Sequence, residues 1–546
     1  MGIGEKQILF AILALAFLVR IVGLDYGLPL TVVGDEPPFV IGALTMMQEK
    51  TLIPGLHPEA FLDKVYFPPY FIYILLIPLA LVMGIWYLLA GVSFEIFQNL
   101  VALDPTPLYL TVRFIVAVLG TLTVWIVYKA ARNIFQEAKP ALLSALVLAL
   151  ALLHVNFSHW GRHWIPITLV FATVIWLLTH PNLSIKKRYL LSTLAVGIGF
   201  GINYQAIVIA PFIILYFLLV DKISLREALK TRWVWGSMFL FLILLAIPIA
   251  LYPQNLQVIS PENVTIYRGE EPTGVFGFFW SYWFYLRHML FSEPVFILAA
   301  ISGLLILLRN LFTRRLAATF ALYSLVYVAI FYLVFHLQGR YILLLYPIFA
   351  LSAGYAMSKI RSKILVGAIL LLMLVPVLRF DQLLVRNDTR IQVRDWVSER
   401  LQVSEKIAYL ARLARLPSTP VAIAELESIE SSALRKVDLA ERDLPQEFLP
   451  EPRHHTLNLA NVEDEAFFLG LREYLEENDY KYFILSPELV GRQRINPKFH
   501  GVTVEYFEGY VARDDDNDMT NGFGGGLPAL FGLPNFGPAL DVIKLY

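Results

Sequence analysis

Apolar residues run along this chain in unbroken stretches long enough to cross a membrane, without the polar alternation of soluble helices and strands. With a span taken as roughly 17 to 25 residues, such stretches fall at about 111–128, 140–157, 164–180, 189–203, 205–220, 233–251, 294–308, 316–336, 340–357 and 364–380. Met1 to Leu28 begins like a secretion signal, with Lys6 ahead of an apolar run from Ile8 to Val19. Arg20 then interrupts the run and no small-residue cleavage site follows, so the segment reads as an uncleaved first span. The run 68–92 is equally apolar, and charge decides how it lies.

Five basic clusters separate the runs: Lys129/Arg132/Lys139, Lys186/Lys187/Arg188, Lys222/Arg226/Lys230/Arg232, Arg309/Arg314/Arg315 and Lys359/Arg361/Lys363. With 68–92 lying along the outer interface or re-entering, all five fall on the side of the N-terminus, as the positive-inside rule requires. As a span, 68–92 would carry every one of them outside. The pattern predicts an α-helical polytopic membrane protein of about eleven transmembrane helices in the plasma membrane, with a cytoplasmic N-terminus. The outer face then holds a first loop of about 29–110, the turn from His154 to Trp164, a loop of about 252–293, and everything after Phe380.

Beyond Phe380 charges become frequent. Ile391 to Arg400 and Glu465 to Asn478 predict helices, while Tyr482 to Leu485 and Val502 to Phe507 predict short strands. Gly522 to Gly537 reads as an irregular Gly- and Pro-rich loop before a last strand, Ala539 to Tyr546. Residues 1–380 thus form a membrane domain and 381–546 an extracytoplasmic α/β domain. No nucleophile–base pair or metal-ligand spacing stands out in the second, which leaves it a supporting or acceptor-binding role.

Composition agrees with the membrane assignment. The 546 residues are 57% hydrophobic and 16% charged, where soluble domains carry about 25% charged residues. A net charge of zero offers no field for nucleic acid, and the absence of cysteine removes disulfides and thiolate chemistry. Candidate chemistry therefore gathers on the outer loops. Gly34-Asp35-Glu36-Pro37-Pro38 opens the first, with Asp35 or Glu36 near the cap of an amphipathic helix and an acidic pair fixed at the lipid boundary. His57-Pro58-Glu59, Lys64 and Tyr66-Phe67-Pro68-Pro69-Tyr70 follow. Gly197-Ile198-Gly199-Phe200-Gly201 imitates a phosphate loop but sits in a predicted span, where small residues serve close packing. Asp514, Asp516 and Asp518 lack the Gly and Glu of a calcium loop and read as solvated acids. Asn263-Val264-Thr265 and Asn387-Asp388-Thr389 are sequons of the kind common by chance.

Arg20, Asp35-Glu36, the Tyr-Phe-Pro-Pro-Tyr segment, Arg113, the stretch from His154 to Arg162, Gly339-Arg340-Tyr341 and the late Gly537-Pro538 together resemble the polyprenyl-phosphate-sugar-dependent glycosyltransferases of the GT-C class. That class includes the protein O-mannosyltransferases and the lipid A aminoarabinose transferase. The resemblance spans the chain and is strongest over residues 1–165. His159 stands where relatives often carry an arginine, which leaves open which residue meets the donor phosphate.

The resemblance implies an enzyme that moves a sugar, with inversion, from a polyprenyl-phosphate-linked donor to a hydroxyl of a protein, lipid or glycan acceptor. An alcohol needs a general base, and Asp35 is the candidate, with Glu36 orienting the acceptor or holding Asp35. Arg162 and His163 are first choices for the departing phosphate, with Lys64, Tyr66, Arg268, Arg287, His288 and Arg340 as further substrate-binding candidates. Arg20, deeper in the membrane, is expected to pair with an acid. The acidic pair raises the question of a divalent metal; the closer O-mannosyltransferase-like resemblance implies no cofactor. The alternative reading is a transporter or flippase of lipid-linked sugars, which would be expected to show internal repeats.

Overall fold

In the computed structural model of the chain, the described residues are 3–62, 64–259, 273–334, 337–411, 414–486, 501–509 and 526–545. The membrane part comprises α1 (Ile3–Ile21), α2 (Pro37–Gln48), α3 (Pro58–Phe61), α4 (Tyr70–Ala90), α5 (Phe94–Leu103), α6 (Thr106–Phe135), α7 (Ala138–Ala149), α8 (Leu152–Ser158), α9 (Trp164–Leu178), α10 (Ile185–Ile202), α11 (Ala210–Leu219), α12 (Leu225–Lys230), α13 (Arg232–Leu251), α14 (Gly274–Ser292), α15 (Pro294–Arg309), α16 (Arg314–Val334), α17 (Tyr346–Lys359) and α18 (Lys363–Val385). Local chemistry sets their starts. Ser93, Ser184 and Ser362 accept from free amides at the heads of α5, α10 and α18, and proline occupies the first turn of α2, α6, α11, α15 and α17.

Among the described residues six helical segments are long and apolar enough to cross a membrane, or seven if the pair α7 and α8, bent by 58°, is one span. All eleven expected spans coincide with helical segments, but eleven do not pass on length and composition. Glu5, Lys6 and Arg20 charge α1, Lys186, Lys187 and Arg188 charge α10, and α9, α15 and the Tyr204–Leu219 segment are short. The glycines of α10 do pack closely: a Cβ on Gly197 would strike Leu244, and one on Gly201 would strike the Tyr70 ring.

The two ends of the bundle are distinct. Glu5 pairs with Arg132 at 3.1 Å and accepts from Tyr128, and Lys139 donates to the carbonyls of Ser358 and Ile360. The N-terminus and these basic clusters thus share one end. Arg113 lies at the other end of α6, about 28 Å away at 1.5 Å per residue.

α4 meets the length and apolarity of a span and contains no charged residue. Tyr66, just before it, bonds Asp35 near the Arg113 end. α5, about 15 Å long and too short to recross a core of about 30 Å, ends at Leu103, whose carbonyl accepts from Arg415 of the C-terminal domain at 2.7 Å. The chain at either end of α4 and α5 thus contacts Asp35 and the C-terminal domain.

The C-terminal part contains α19 (Thr389–Arg400), β1 (Lys406–Leu410), α20 (Pro420–Ile429), α21 (Lys436–Asp443), β2 (His455–Asn458), α22 (Glu465–Leu469), α23 (Leu471–Glu477), β3 (Tyr480–Leu485), β4 (Gly501–Phe507), α24 (Gly526–Gly532) and β5 (Leu540–Leu545). The five strands form one sheet in the order β2-β1-β3-β5-β4, with β1 parallel to β2 and β3, and β5 antiparallel to β3 and β4. Gly470 breaks the expected helix 465–478 in two. The expected loop 522–537 contains α24, whose Leu530 is buried in the membrane-domain core while Arg379 of α18 donates to the carbonyls of Leu530 and Leu533. Asp514, Asp516 and Asp518 lie outside the described residues, as does Asn263-Val264-Thr265.

Candidate active site

The chain leaves α1 and turns before α2 with Asp35 in the left-handed region, φ 60°. Glu36 takes the cap position of α2 but its side chain makes no capping bond: Pro37 and Pro38 have no amide hydrogen to donate, and the Phe39 amide donates to the Glu36 backbone carbonyl. Its carboxylate turns inward instead. Arg113 grips it with Nε at 3.0 Å and Nη2 at 2.7 Å, and the Gly161 amide donates to Oε1 at 2.6 Å. Arg113 also donates to the Leu24 and Tyr26 carbonyls and lies over the Trp160 ring. Both members of the pair are fully buried, so the charge is neutralised in place.

Asp35 is held otherwise. Tyr66 donates to Oδ1 at 2.8 Å, Arg162 reaches Oδ2 at 2.5 Å, and Arg340 stands at 3.4 Å from the same oxygen. Its side chain keeps 27% of its exposure while Arg162 keeps 2%. Burial would raise the acid's pKa, but Arg162, Arg340 and the Tyr66 hydroxyl prevail and hold it well below the usual carboxylate range. Two guanidiniums thus face this one carboxylate. Arg340 also stacks over Trp164 and Tyr341.

His163 joins the cluster as a neutral ring: burial, with Arg162 and Arg340 beside it, pushes its pKa well below the ordinary value despite Asp35. It was expected as a cation. The ring is wedged against Phe67 at 4.4 Å and Trp164 at 4.7 Å between centroids, and neither nitrogen has a hydrogen-bond partner among the described residues. Other expected cations have different contacts. Lys64 donates to the Ala60 carbonyl, Arg287 is exposed on α14 over Phe291, and the His288 ring packs on Gly339. Arg268 lies outside the described residues. Arg20 does not meet its expected acid directly; it donates to the carbonyls of Ala16, Ala149 and Leu148 and to Ser158, with Asp381 acting only at longer range.

Sequence reasoning missed Glu293. It accepts from the Leu152 and Leu153 amides at 2.7 and 3.0 Å and from the Tyr346 hydroxyl at 2.6 Å, and so holds the head of α8, the helix that leads to Arg162. The Glu-Pro pair signals a helix start, but nothing local reveals that the carboxylate caps a different helix. The carboxylates of the acidic pair are engaged separately: the oxygens of Glu36 by Arg113 and Gly161, and those of Asp35 by Tyr66 and the two arginines.

Solved structures similar to this chain include the oligosaccharyltransferase AglB from Archaeoglobus fulgidus in complex with an inhibitory peptide and a dolichol-phosphate, at 14% identity and a TM-score of 0.48 over 89% of this chain and 70% of that one. ArnT from Cupriavidus metallidurans bound to undecaprenyl phosphate is similar at 13% identity and a TM-score of 0.46, over 98% and 97% of the two chains. The S. cerevisiae Pmt1-Pmt2 complex bound to its sugar donor is similar at 20% identity and a TM-score of 0.32, over 47% of this chain and 34% of that one. At these identities and scores the likenesses do not bear on the site. No curated protein sequence matches the chain. Residues 108–252, which include Arg113, Arg162 and His163, match the family of dolichyl-phosphate-mannose-protein mannosyltransferases, and the resemblance to the GT-C glycosyltransferases rests on that match.

Proposed function

We propose that the chain is a membrane glycosyltransferase that moves a sugar from a polyprenyl-phosphate donor to an acceptor hydroxyl, with inversion, on the outer face of the plasma membrane. The observation that carries the reading is the partly exposed Asp35 between Arg162 and Arg340 at the end of the bundle remote from the basic clusters. The positive-inside rule assigns those clusters to the cytoplasm, which turns the Asp35 end and the C-terminal domain outward.

In this reading the acceptor oxygen attacks the anomeric carbon from the face opposite the phosphate. The new carbon–oxygen bond forms as the bond to the phosphate oxygen breaks, its electron pair leaves with the lipid phosphate, and the hydroxyl proton passes to Asp35. A carboxylate held by two arginines is a weak base. Donor binding resolves the difficulty, because the phosphate competes for Arg162 and Arg340, loosens their grip on Asp35 and raises its basicity. The same guanidiniums then stabilise the charge that develops on the departing phosphate. Neutral His163 and the rings of Trp164 and Phe67 exclude water beside the reacting centre. No metal takes part in this scheme.

Purified protein incubated with radiolabelled polyprenyl-phosphate sugars tests the reading. Label moved to acceptor with release of lipid phosphate supports it. Translocation of intact lipid without release would assign the protein to the flippases instead.

A further inference from the structure

The Gly537-Pro538 motif and the buried Asp388 and Thr389 of the sequon Asn387-Asp388-Thr389 meet in the structure, and the proposed chemistry uses neither. We infer that they form a brace by which the C-terminal domain fixes the Asp35 cluster, with Tyr26 and Asp388 as its positioning residues. Asp388 is fully buried. It caps α19 through the Arg390 amide at 2.9 Å, pairs with the Arg390 guanidinium, and accepts from the Tyr26 hydroxyl at 2.5 Å. Thr389 donates its amide to the Phe536 carbonyl at 3.1 Å and its hydroxyl to the Pro538 carbonyl at 2.7 Å. Gly537, at φ 102°, passes so close that a Cβ there would strike Thr389 Oγ1 and meet Asp388 Oδ1 at 2.7 Å. The motif therefore lets the end of the chain close over the acid.

From Tyr26 the connection runs directly to the site. Its ring packs between Trp160 at 5.9 Å and Phe536 at 5.7 Å, and its carbonyl accepts from Arg113 at 2.8 Å. Arg113 holds Glu36, and Glu36 holds the Gly161 amide. Asp35 and Arg162 are the chain neighbours of those last two residues. Every link from Asp388 to Gly161 is buried, so solvent cannot substitute for a lost bond. The domain thus acts on the position of Arg162 and Asp35 whatever the acceptor is, and the brace does not depend on the reaction assigned above.

Hydrogen exchange of the full chain in detergent micelles tests it, because the Gly161 amide is itself the last link. In Tyr26→Phe, which keeps the ring, and in Asp388→Asn, peptides covering 31–38 and 159–163 should exchange about tenfold faster or more, while peptides of α16 remain unchanged. The double variant should exchange no faster than either single one. Gly537→Ala perturbs the brace from the opposite side and should give the same local signature. Unchanged exchange at Gly161, or equal acceleration across all helices, would overturn the inference.

Discussion

Asp35 and Glu36 are neighbours in sequence and opposites in environment. Glu36 is sealed against one arginine, charge for charge, with every oxygen bonded. Asp35 remains partly open and is outnumbered by Arg162 and Arg340. A sealed buried pair stores structure, whereas an accessible carboxylate held between two guanidiniums can be exchanged for another anion. The first knot holds the turn in shape, and the second is where the proposed function has a lipid phosphate compete.

Substitutions can break this comparison from either side. Asp35→Asn should lower sugar transfer by about 10²- to 10⁴-fold, the range of a positioned general base, with unchanged yield and membrane insertion. Glu36→Gln should instead destabilise the fold by about 3–5 kcal/mol by stranding Arg113, seen as a lower thermal midpoint in detergent. A stable but inactive Glu36→Gln would erase the distinction. Arg162→Gln should weaken undecaprenyl phosphate binding about tenfold or more, since a hydrogen bond to a charged group contributes about 1.5–3 kcal/mol. Titration by tryptophan fluorescence reads that loss. Acid should act on the same contacts. Asp35 is depressed below its ordinary 3.8, so the stability it adds is present above that value and is lost as pH falls through the lower folded one. The midpoint difference between the parent and Asp35→Asn should be flat from pH 7 to 5 and shrink below about pH 4. Arg287→Ala, on an exposed face, should change transfer less than about twofold, the scale of ordinary surface substitutions.

Much of this was legible in the sequence. Apolar runs located the helical segments, and basic clusters marked one end of the bundle. Tyr66, Arg162 and Arg340 were named beforehand and do converge on Asp35. What local pattern conceals is which partner a side chain selects across the fold. Glu36 looked like a cap but belongs to Arg113, 77 residues away, and Glu293 closes a helix 140 residues before it. His163 looked like a cation, but its charge is suppressed by burial that no local motif records. β1 and β2 escaped notice because five and four residues, one strand opening on Lys406 and the other on His455, carry too little alternation to register. α24 was hidden in a Gly-rich stretch whose apolar residues serve to dock the domain onto α18.

The central claim is that Asp35 competes with the donor phosphate for Arg162 and Arg340 and then takes the acceptor proton. Measuring both undecaprenyl phosphate affinity and labelled sugar transfer in Asp35→Asn tests it most directly. The account predicts affinity equal to or tighter than that of the parent protein, because the competing carboxylate is gone, together with near-complete loss of transfer. Transfer at the parental rate, or loss of phosphate binding along with transfer, would contradict it.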